Sequence, residues 1–456
     1  MSQTPRQIRL GAFLQATGHH VAAWRHPDAQ ADAGLNLAHY KALAQAAEAG
    51  KFDMVFVADS PGGYANPAER GEFARSGKSA HFEPVTLWSA LSMVTERIGF
   101  VATSSTTYED PFTTARKFAS LDWISGGRAA WNVVTTGADV SHNFSLPAHL
   151  EHARRYERAE AFIDVVKGLW DSYEDDAFLR DRESGVYVDL QKFHLLDHHG
   201  PHFQVRGPLN IARPPQGYPV IVQAGASAPG RELAARTAEV IFTANQTLED
   251  AQAFYRDVKR RMARFGRAPE TLLIMPGIFP VLGGTEAEAL RRYEDLQALV
   301  HDEVAWAGLR RHYQGVDLTG LSLDDPAPPL PAVTNGSVSR LKLVSDLATR
   351  NQLTLRELFR RLATARGHRT VVGAPEQVAD AMQLWFENEA ADGFNVMPPI
   401  LPTGLTDFVE QVVPILQRRG LFRREYEGYT LRENLGLARP SNGLVLRDAA
   451  RQAVGA

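Results

Sequence analysis

Cysteine is absent from this chain of 456 residues. That absence excludes disulfides, thiolate metal sites, iron–sulfur clusters and a thiol nucleophile. A charge surplus is missing too: 49 Lys and Arg stand against 53 Asp and Glu, a formal net charge of −4. Without a basic excess there is little to displace counterions from a phosphate backbone, so no nucleic-acid partner is expected. No stretch approaches the roughly 18 apolar residues of a membrane span. The opening MSQTPRQIRLGAFLQATGHH lacks the charged-then-apolar pattern of an export signal. What remains is an ordinary globular composition, 44% hydrophobic and 22% charged. The expectation is a cytoplasmic enzyme acting on a small molecule.

Eight short apolar runs punctuate the chain: IRLGAFLQ at 8–15, FDMVFVAD at 52–59, IGFVATSS at 98–105 and AAWNVVTT at 129–136, then YPVIVQAG at 218–225, EVIFTAN at 239–245, LLIMPGIFPVLG at 272–283 and GFNVMPPI at 393–400. Rich in Val, Ile and Phe and bounded by Gly, Pro or polar residues, they read as strands buried on both faces. Helical periodicity lies between them. Leu37, Tyr40, Leu43, Ala44 and Ala47 share one face, as do Ala159, Phe162, Ile163, Val166, Leu169 and Trp170. Eight strands with intervening helices predict an α/β fold, a parallel (β/α)8 or TIM barrel. An open doubly wound sheet usually carries a Gly-rich turn after its first strand, and LGAFLQATGHH lacks one.

At roughly 150 residues per domain the length would suggest three domains, but barrels exceed that size as one. The expected organisation is a single domain over 1–456 with insertions at about 174–215 and 300–370. The first centres on HGPH, a turn signal for a hairpin; the second holds the Pro-rich LTGLSLDDPAPPLPAV. Long insertions on a barrel commonly cover its active mouth. An irregular extension over about 420–456 is expected to wrap the barrel or a partner subunit.

Barrel chemistry sits at the C-terminal ends of the strands. Reading the first five ends gives His19 and His20, Asp59, Thr103 to Ser105, Asn132 with Thr135 and Thr136, and Gly225, Ala226 and Ser227. The set lacks a glycosidase carboxylate pair and a Schiff-base Lys, and it suits a large neutral ring held by hydrogen bonds. QAGASAPGRELAA at 223–235 offers Ser227 as an N-cap, Pro229 near the first helical position, and free N–H groups that could bind a phosphate. A capped helix without a ligand is the plainer reading. In HARRYERAEAF at 152–162, His152 and Tyr156 are four apart on one helix face. Tyr156 could donate to a phosphate oxygen or simply pack at the helix start. No metal is expected: His19 and His20 are adjacent and share no face, and the histidines of DHHGPHF at 197–203 read as a solvated turn.

FDMVFVAD, ATSSTTYEDPF, SGGRAAWNVVTT, RYERAEAF and QAGASAPGRELAA together carry a resemblance that runs from about residue 8 to about 420. The chain resembles the nitrilotriacetate monooxygenase branch of the bacterial-luciferase-like flavin monooxygenases. That branch includes EDTA, dibenzothiophene-sulfone, long-chain-alkane and pristinamycin-forming monooxygenases. The resemblance implies reduced FMN and dioxygen as co-substrates, an NAD(P)H-dependent flavin reductase as partner, and a homodimer or homotetramer. It implies FMN contacts at Asp59, Thr103, Ser104, His152, Tyr156 and Ser227, with Asn132 at the ring and Gly225 and Ala226 near the phosphate. It also implies an active-site His from the first loop, where His20 fits, and a second from the large insertion, where His312 is the candidate. Phe13, Phe56 and Trp24 would form a dry substrate wall, since the chemistry demands a closed pocket and one placed proton donor or acceptor. Relatives act at C–S, C–N or C–H bonds. Arg310 and Arg311 at the expected mouth would favour a carboxylated or sulfonated substrate, or be solvated surface; C–S cleavage is preferred here, then C–N. The competing readings are a deazaflavin-dependent oxidoreductase of the same superfamily, a phosphate-binding barrel isomerase or lyase without flavin, and a non-catalytic flavin binder.

Overall fold

The computed structural model describes residues 6–62, 70–75, 77, 79–313, 316–330, 344–345, 348, 352–447 and 449. All eight apolar runs form parallel strands: β1 (Arg9–Leu14), β2 (Met54–Val57), β3 (Gly99–Ser105), β4 (Ala129–Val134), β5 (Val220–Gln223), β6 (Val240–Thr243), β7 (Leu273–Leu282) and β8 (Gly393–Val396). They pair in chain order, and β8 closes on both β1 and β7 to complete the barrel. Register sets which layer each residue joins. Phe13, Met54, Phe56, Val101, Ala130, Val222 and Phe242 point inward into one interior cluster. Their neighbours Leu14, Val55, Ala102, Trp131 and Ile221 point outward against the helices. Both faces are therefore apolar, which is why the runs show no alternation in sequence.

The covering helices are α1 (Leu37–Ala49), α2 (Pro84–Leu91), α3 (Pro111–Ile124), α4 (His152–Trp170), α5 (Ala228–Thr237), α6 (Leu248–Met262) and α10 (Pro375–Glu387). Between β7 and α10 come α7 (Glu286–Ala298), α8 (Asp302–His312) and α9 (Leu355–Ala365). The expected faces are buried, except that Leu37 is 47% exposed at the first position of α1. Stop and start signals are local: Asp110 accepts from the N–H groups of Phe112 and Thr113, and Pro111 opens α3. Trp131 is wedged among Phe118, Phe162 and Trp170, and its indole N–H donates to Ser104 O at 3.2 Å.

The 174–215 insertion carries the expected hairpin, His198–His199 paired with Gln204–Val205. The 300–370 insertion packs α8 against α9 around Leu309, Tyr313, Leu358 and Phe359. The end of its Pro-rich stretch, from 331, lies outside the described residues. A ninth strand, Arg369–Gly373, was not foreseen. It pairs in parallel with the outer half of β7, Ile278–Leu282, and so roots the insertion in the barrel wall.

The tail crosses the N-terminal pole of the barrel. Leu431, Leu435 and Leu437 enter the interior cluster, and Gly99 is a glycine of necessity, since a Cβ there would lie 2.5 Å from Leu431. Two buried ion pairs hold the tail. Arg423 pairs with Asp53, which also accepts from Leu10 N–H at 2.7 Å. Arg432 pairs with Glu239 and donates to Tyr218 O. Residues 448 and 450–456, the end of the expected extension, lie outside the described residues.

Candidate active site

A cavity of about 310 Å³ opens at the C-terminal ends of the strands, within the range of small-molecule sites, about 300–1,000 Å³. Phe13 comes from β1, Phe56, Ala58 and Asp59 from β2 and its end, and Thr103 from β3. Asn132 and Val134 come from β4, Ala224 and Ala226 from the turn after β5. Phe242, Thr243, Ala244 and Asn245 continue from β6, and Asn395 from β8. Arg366 and His368 complete the wall from the turn between α9 and the ninth strand.

One side of this cavity is apolar, with Phe13 and Phe56 in ring contact at 4.5 Å and Phe56 and Phe242 at 4.9 Å. The polar groups are pre-oriented. Thr103 Oγ1 donates to Val57 O at 2.8 Å and accepts from Asn132 Nδ2 at 2.9 Å. That arrangement turns Asn132 Oδ1 elsewhere, and it is buried without a protein partner among the described residues. Thr243 Oγ1 and Asn395 Oδ1 share that condition. Leaving one buried polar atom unsatisfied costs about 1–3 kcal/mol. Three of them around one cavity fit a ligand with several hydrogen-bonding edges, as a flavin ring system has. Ser104 Oγ, outside the lining, is buried in the same condition.

At the mouth, His81 Nε2 meets Asp59 Oδ1 at 2.9 Å. That hydrogen bond raises the His81 pKa above its ordinary value, against the opposing effect of burial.

Beyond Ala226 lies a second group. Ser227 caps α5: its Oγ accepts from Gly230 N–H and donates to Tyr156 OH, both at 3.3 Å. Gly225 and Gly230 bring two backbones together; a Cβ on Gly230 would sit 2.9 Å from Gly225 C. The His152 ring lies 5.0 Å from Tyr156. Burial, and then the charge of Arg155, push His152 below its usual pKa. Two hydroxyls, an imidazole and the positive end of the α5 dipole can together hold a phosphate. The site thus has a ring compartment and, directly after its lining residue Ala226 in the chain, a candidate anion-binding group.

Phe13, Phe56, Asp59, Thr103, Asn132 and Ala226 line the first compartment, and Tyr156, His152, Gly225 and Ser227 cluster at the second. The remaining expectations fall elsewhere. His20 is buried in the loop after β1, where its Nδ1 accepts from Ala22 N–H at 3.2 Å; it is not part of the cavity lining. Its neighbour His19 touches the Phe13 ring at 4.4 Å. Trp24 lines a separate cavity with Val21, Arg75 and Val304, its indole donating to Arg75 O. His312 ends α8 and is not among the lining residues. Arg311 pairs with Glu72, and Arg310 lies over Trp306. Among the described residues no cluster could hold a metal ion, and no helix is long and apolar enough to cross a membrane. Sequence reading missed Thr243, Asn245 and Asn395, although the strands bearing them were recognised; extending the strand-end reading to β6 and β8 would have found them. Arg366, His368 and His81 carried no sequence signal.

Residues 17–392 match the family model described as luciferase-like monooxygenase. The chain is 53% identical to N-acetyl-S-(2-succino)cysteine monooxygenase of Bacillus subtilis (strain 168), over 97% of this chain and 99% of that protein. It is 49% identical to nitrilotriacetate monooxygenase component A of Aminobacter aminovorans, over 96% and 98%. Among solved structures, riboflavin lyase (RcaE), described with modified FMN and the substrate riboflavin, superposes with a TM-score of 0.83 at 33% identity, covering 95% of this chain and 97% of that one.

Proposed function

Since the chain belongs to the luciferase-like monooxygenases, we propose that it uses reduced FMN, delivered by a separate NAD(P)H-dependent reductase, to oxidise a small organic substrate at a C–S or C–N bond. The observation that carries this reading is a ring-sized cavity with unsatisfied polar edges, whose lining residue Ala226 directly precedes the Ser227–Tyr156 pair at the start of α5. The likeness to a protein described with modified FMN supports the flavin. The name of the nitrilotriacetate relative, a "component A", supports a partner component. The relatives named for a thioether and a tertiary amine support the bond type.

When bound, reduced FMN would supply the activation of dioxygen, so that one oxygen atom enters the substrate. The chain's own task is to place and to dry. Asn132, Thr103 and Asn395 would orient the ring, with Asp59 and Ser104 beside it. Ser227, Tyr156, His152 and the backbone at Gly225 and Ala226 would hold the phosphate. Phe13, Phe56 and Phe242 would exclude water, a condition for productive oxygen chemistry. His368, the imidazole on the cavity wall, and His20 from the first loop are the candidates for moving a proton; His312 stands third.

The chain is further proposed to work in the cytoplasm as a homodimer or homotetramer. Leu179, Tyr187 and Leu190 of the 174–215 insertion are exposed and offer a self-association face.

The test is anaerobic titration with reduced FMN, then addition of oxygen-18 with carboxylated thioethers and amines. Saturable flavin binding and one labelled oxygen atom per product are expected. Absence of flavin binding would overturn the reading, as would turnover without oxygen, the mark of a deazaflavin-type hydride transfer.

A further inference from the structure

Two formal charges face the ring compartment, Asp59 and Arg366. The carboxylate of Asp59 is answered by His81 at 2.9 Å. Arg366 belongs to the same lining beside Phe13, and none of the flavin contacts proposed above uses it.

Its position is built. Arg366 is the residue just past α9, and its φ of +51° places it in the left-handed region that side chains rarely adopt. A left-handed residue is a common way for a helix to end, and here it fixes where the chain turns back toward the ninth strand. Arg366 N–H donates to Leu362 O at 3.0 Å, and Gln246 Nε2 donates to Gly367 O at 2.9 Å, tying the turn to the segment after β6. The guanidinium carbon lies 5.4 Å from the centre of the Phe13 ring, so a cation–π contact orients the planar group. One N–H of the fork donates to His19 Nδ1 at 3.1 Å. An arginine only donates, so His19 accepts at Nδ1 and carries its proton on Nε2, in position to donate to Phe13 O at 2.8 Å. The guanidinium is thus laid against an aromatic face and brought to the cavity wall.

We propose that Arg366 receives a carboxylate of the substrate, making the enzyme selective for anionic substrates whose oxidisable atom lies toward the Asn132 side of the cavity. A guanidinium fork matches a planar carboxylate by paired, charge-assisted hydrogen bonds, and the apolar wall of Phe13 strengthens them by excluding water. This assignment rests on the function proposed above. It moves substrate recognition away from Arg310 and Arg311, which the structure places over Trp306 and on Glu72.

The experiment is calorimetric titration of succinate, dimethyl succinate and methanesulfonate into the protein, free and loaded with FMN. It is run for the wild type, Arg366→Ala and Arg366→Lys, with FMN affinity measured separately. Succinate should bind the wild type and its diester should not. Arg366→Ala should weaken succinate about tenfold or more, and Arg366→Lys, which keeps the charge without the fork, should fall between. Methanesulfonate should bind more weakly than succinate. FMN affinity should fall less than succinate affinity in both variants. Equal succinate affinity in Arg366→Ala and wild type would overturn the proposal, as would no succinate binding to either form of the wild type. Loss of FMN affinity with succinate unaffected would also overturn it, placing Arg366 with the cofactor. If the wild type fails to bind FMN, the function proposed above falls, while the titrations on the free protein still decide Arg366.

Discussion

The anion compartment depends on a few atoms whose removal is cheap for the fold. Ser227→Ala combined with Tyr156→Phe deletes two hydroxyls while Pro229 still starts α5. FMN affinity should fall about a hundredfold or more, as two hydrogen bonds to a charged group are worth; fluorescence titration measures it, and unchanged affinity would remove the phosphate assignment. His152 supplies the pH dependence. In the free protein, burial and then Arg155 hold its pKa below 6.5, so it is neutral at pH 7. A phosphate dianion beside it favours the charged form and raises that pKa. Binding therefore takes up protons near neutrality, and FMN affinity should fall as pH rises through the bound-state value. Calorimetry in two buffers of different ionisation enthalpy reads the uptake, and His152→Gln should abolish it. At this scale the sequence was legible where a residue sits on a strand end or opens a helix, since element position alone then fixes its direction. It was silent on His81 and Arg366, because neither the Asp59 pairing nor a left-handed turn at an arginine leaves a local pattern.

Elements are legible when one physical pattern specifies them. All eight barrel strands could be read because both faces are buried and the apolar run is unbroken. The ninth strand could not. RTVVG is short, and its residues become a strand only because the outer half of β7 projects past its barrel neighbours and offers free edge groups. The helices succeed through their caps and outward packing. Trp131 concentrates that packing, being fully buried against three aromatic rings. Trp131→Ala should cost about 3–5 kcal/mol, read as a shift of the urea midpoint, while Trp131→Phe should recover part of it. A near-neutral Trp131→Ala would mean that β4 is held by its strand pairing rather than by this cluster.

At the scale of the molecule, buried charge decides what the tail does. In sequence RREYEGYTLREN reads only as a charged, irregular extension able to wrap the barrel or a partner; in the fold Arg423 and Arg432 are almost wholly buried in ion pairs, a pairing across more than 190 residues that no local window can show. Arg423→Ala leaves Asp53 buried and unpaired and should cost about 3–5 kcal/mol; Asp53→Asn with Arg423→Met should restore part of it in thermal unfolding. Asp122 gives the pH signature. Burial pushes it up to about 6 from 3.8, against the hydrogen bonds from Gln216 and Ala129. Its folded pKa being the higher, its contribution to stability is complete below pH 3.8 and disappears as pH rises to about 6. Urea midpoints between pH 4 and 7 should decline in the wild type relative to Asp122→Asn, and parallel curves would refute the assignment. The same tail has a directional corollary. Its leucines join the packed interior at the far end of the cylinder, so a ligand of the described cavity is expected to enter and leave at the strand-end pole.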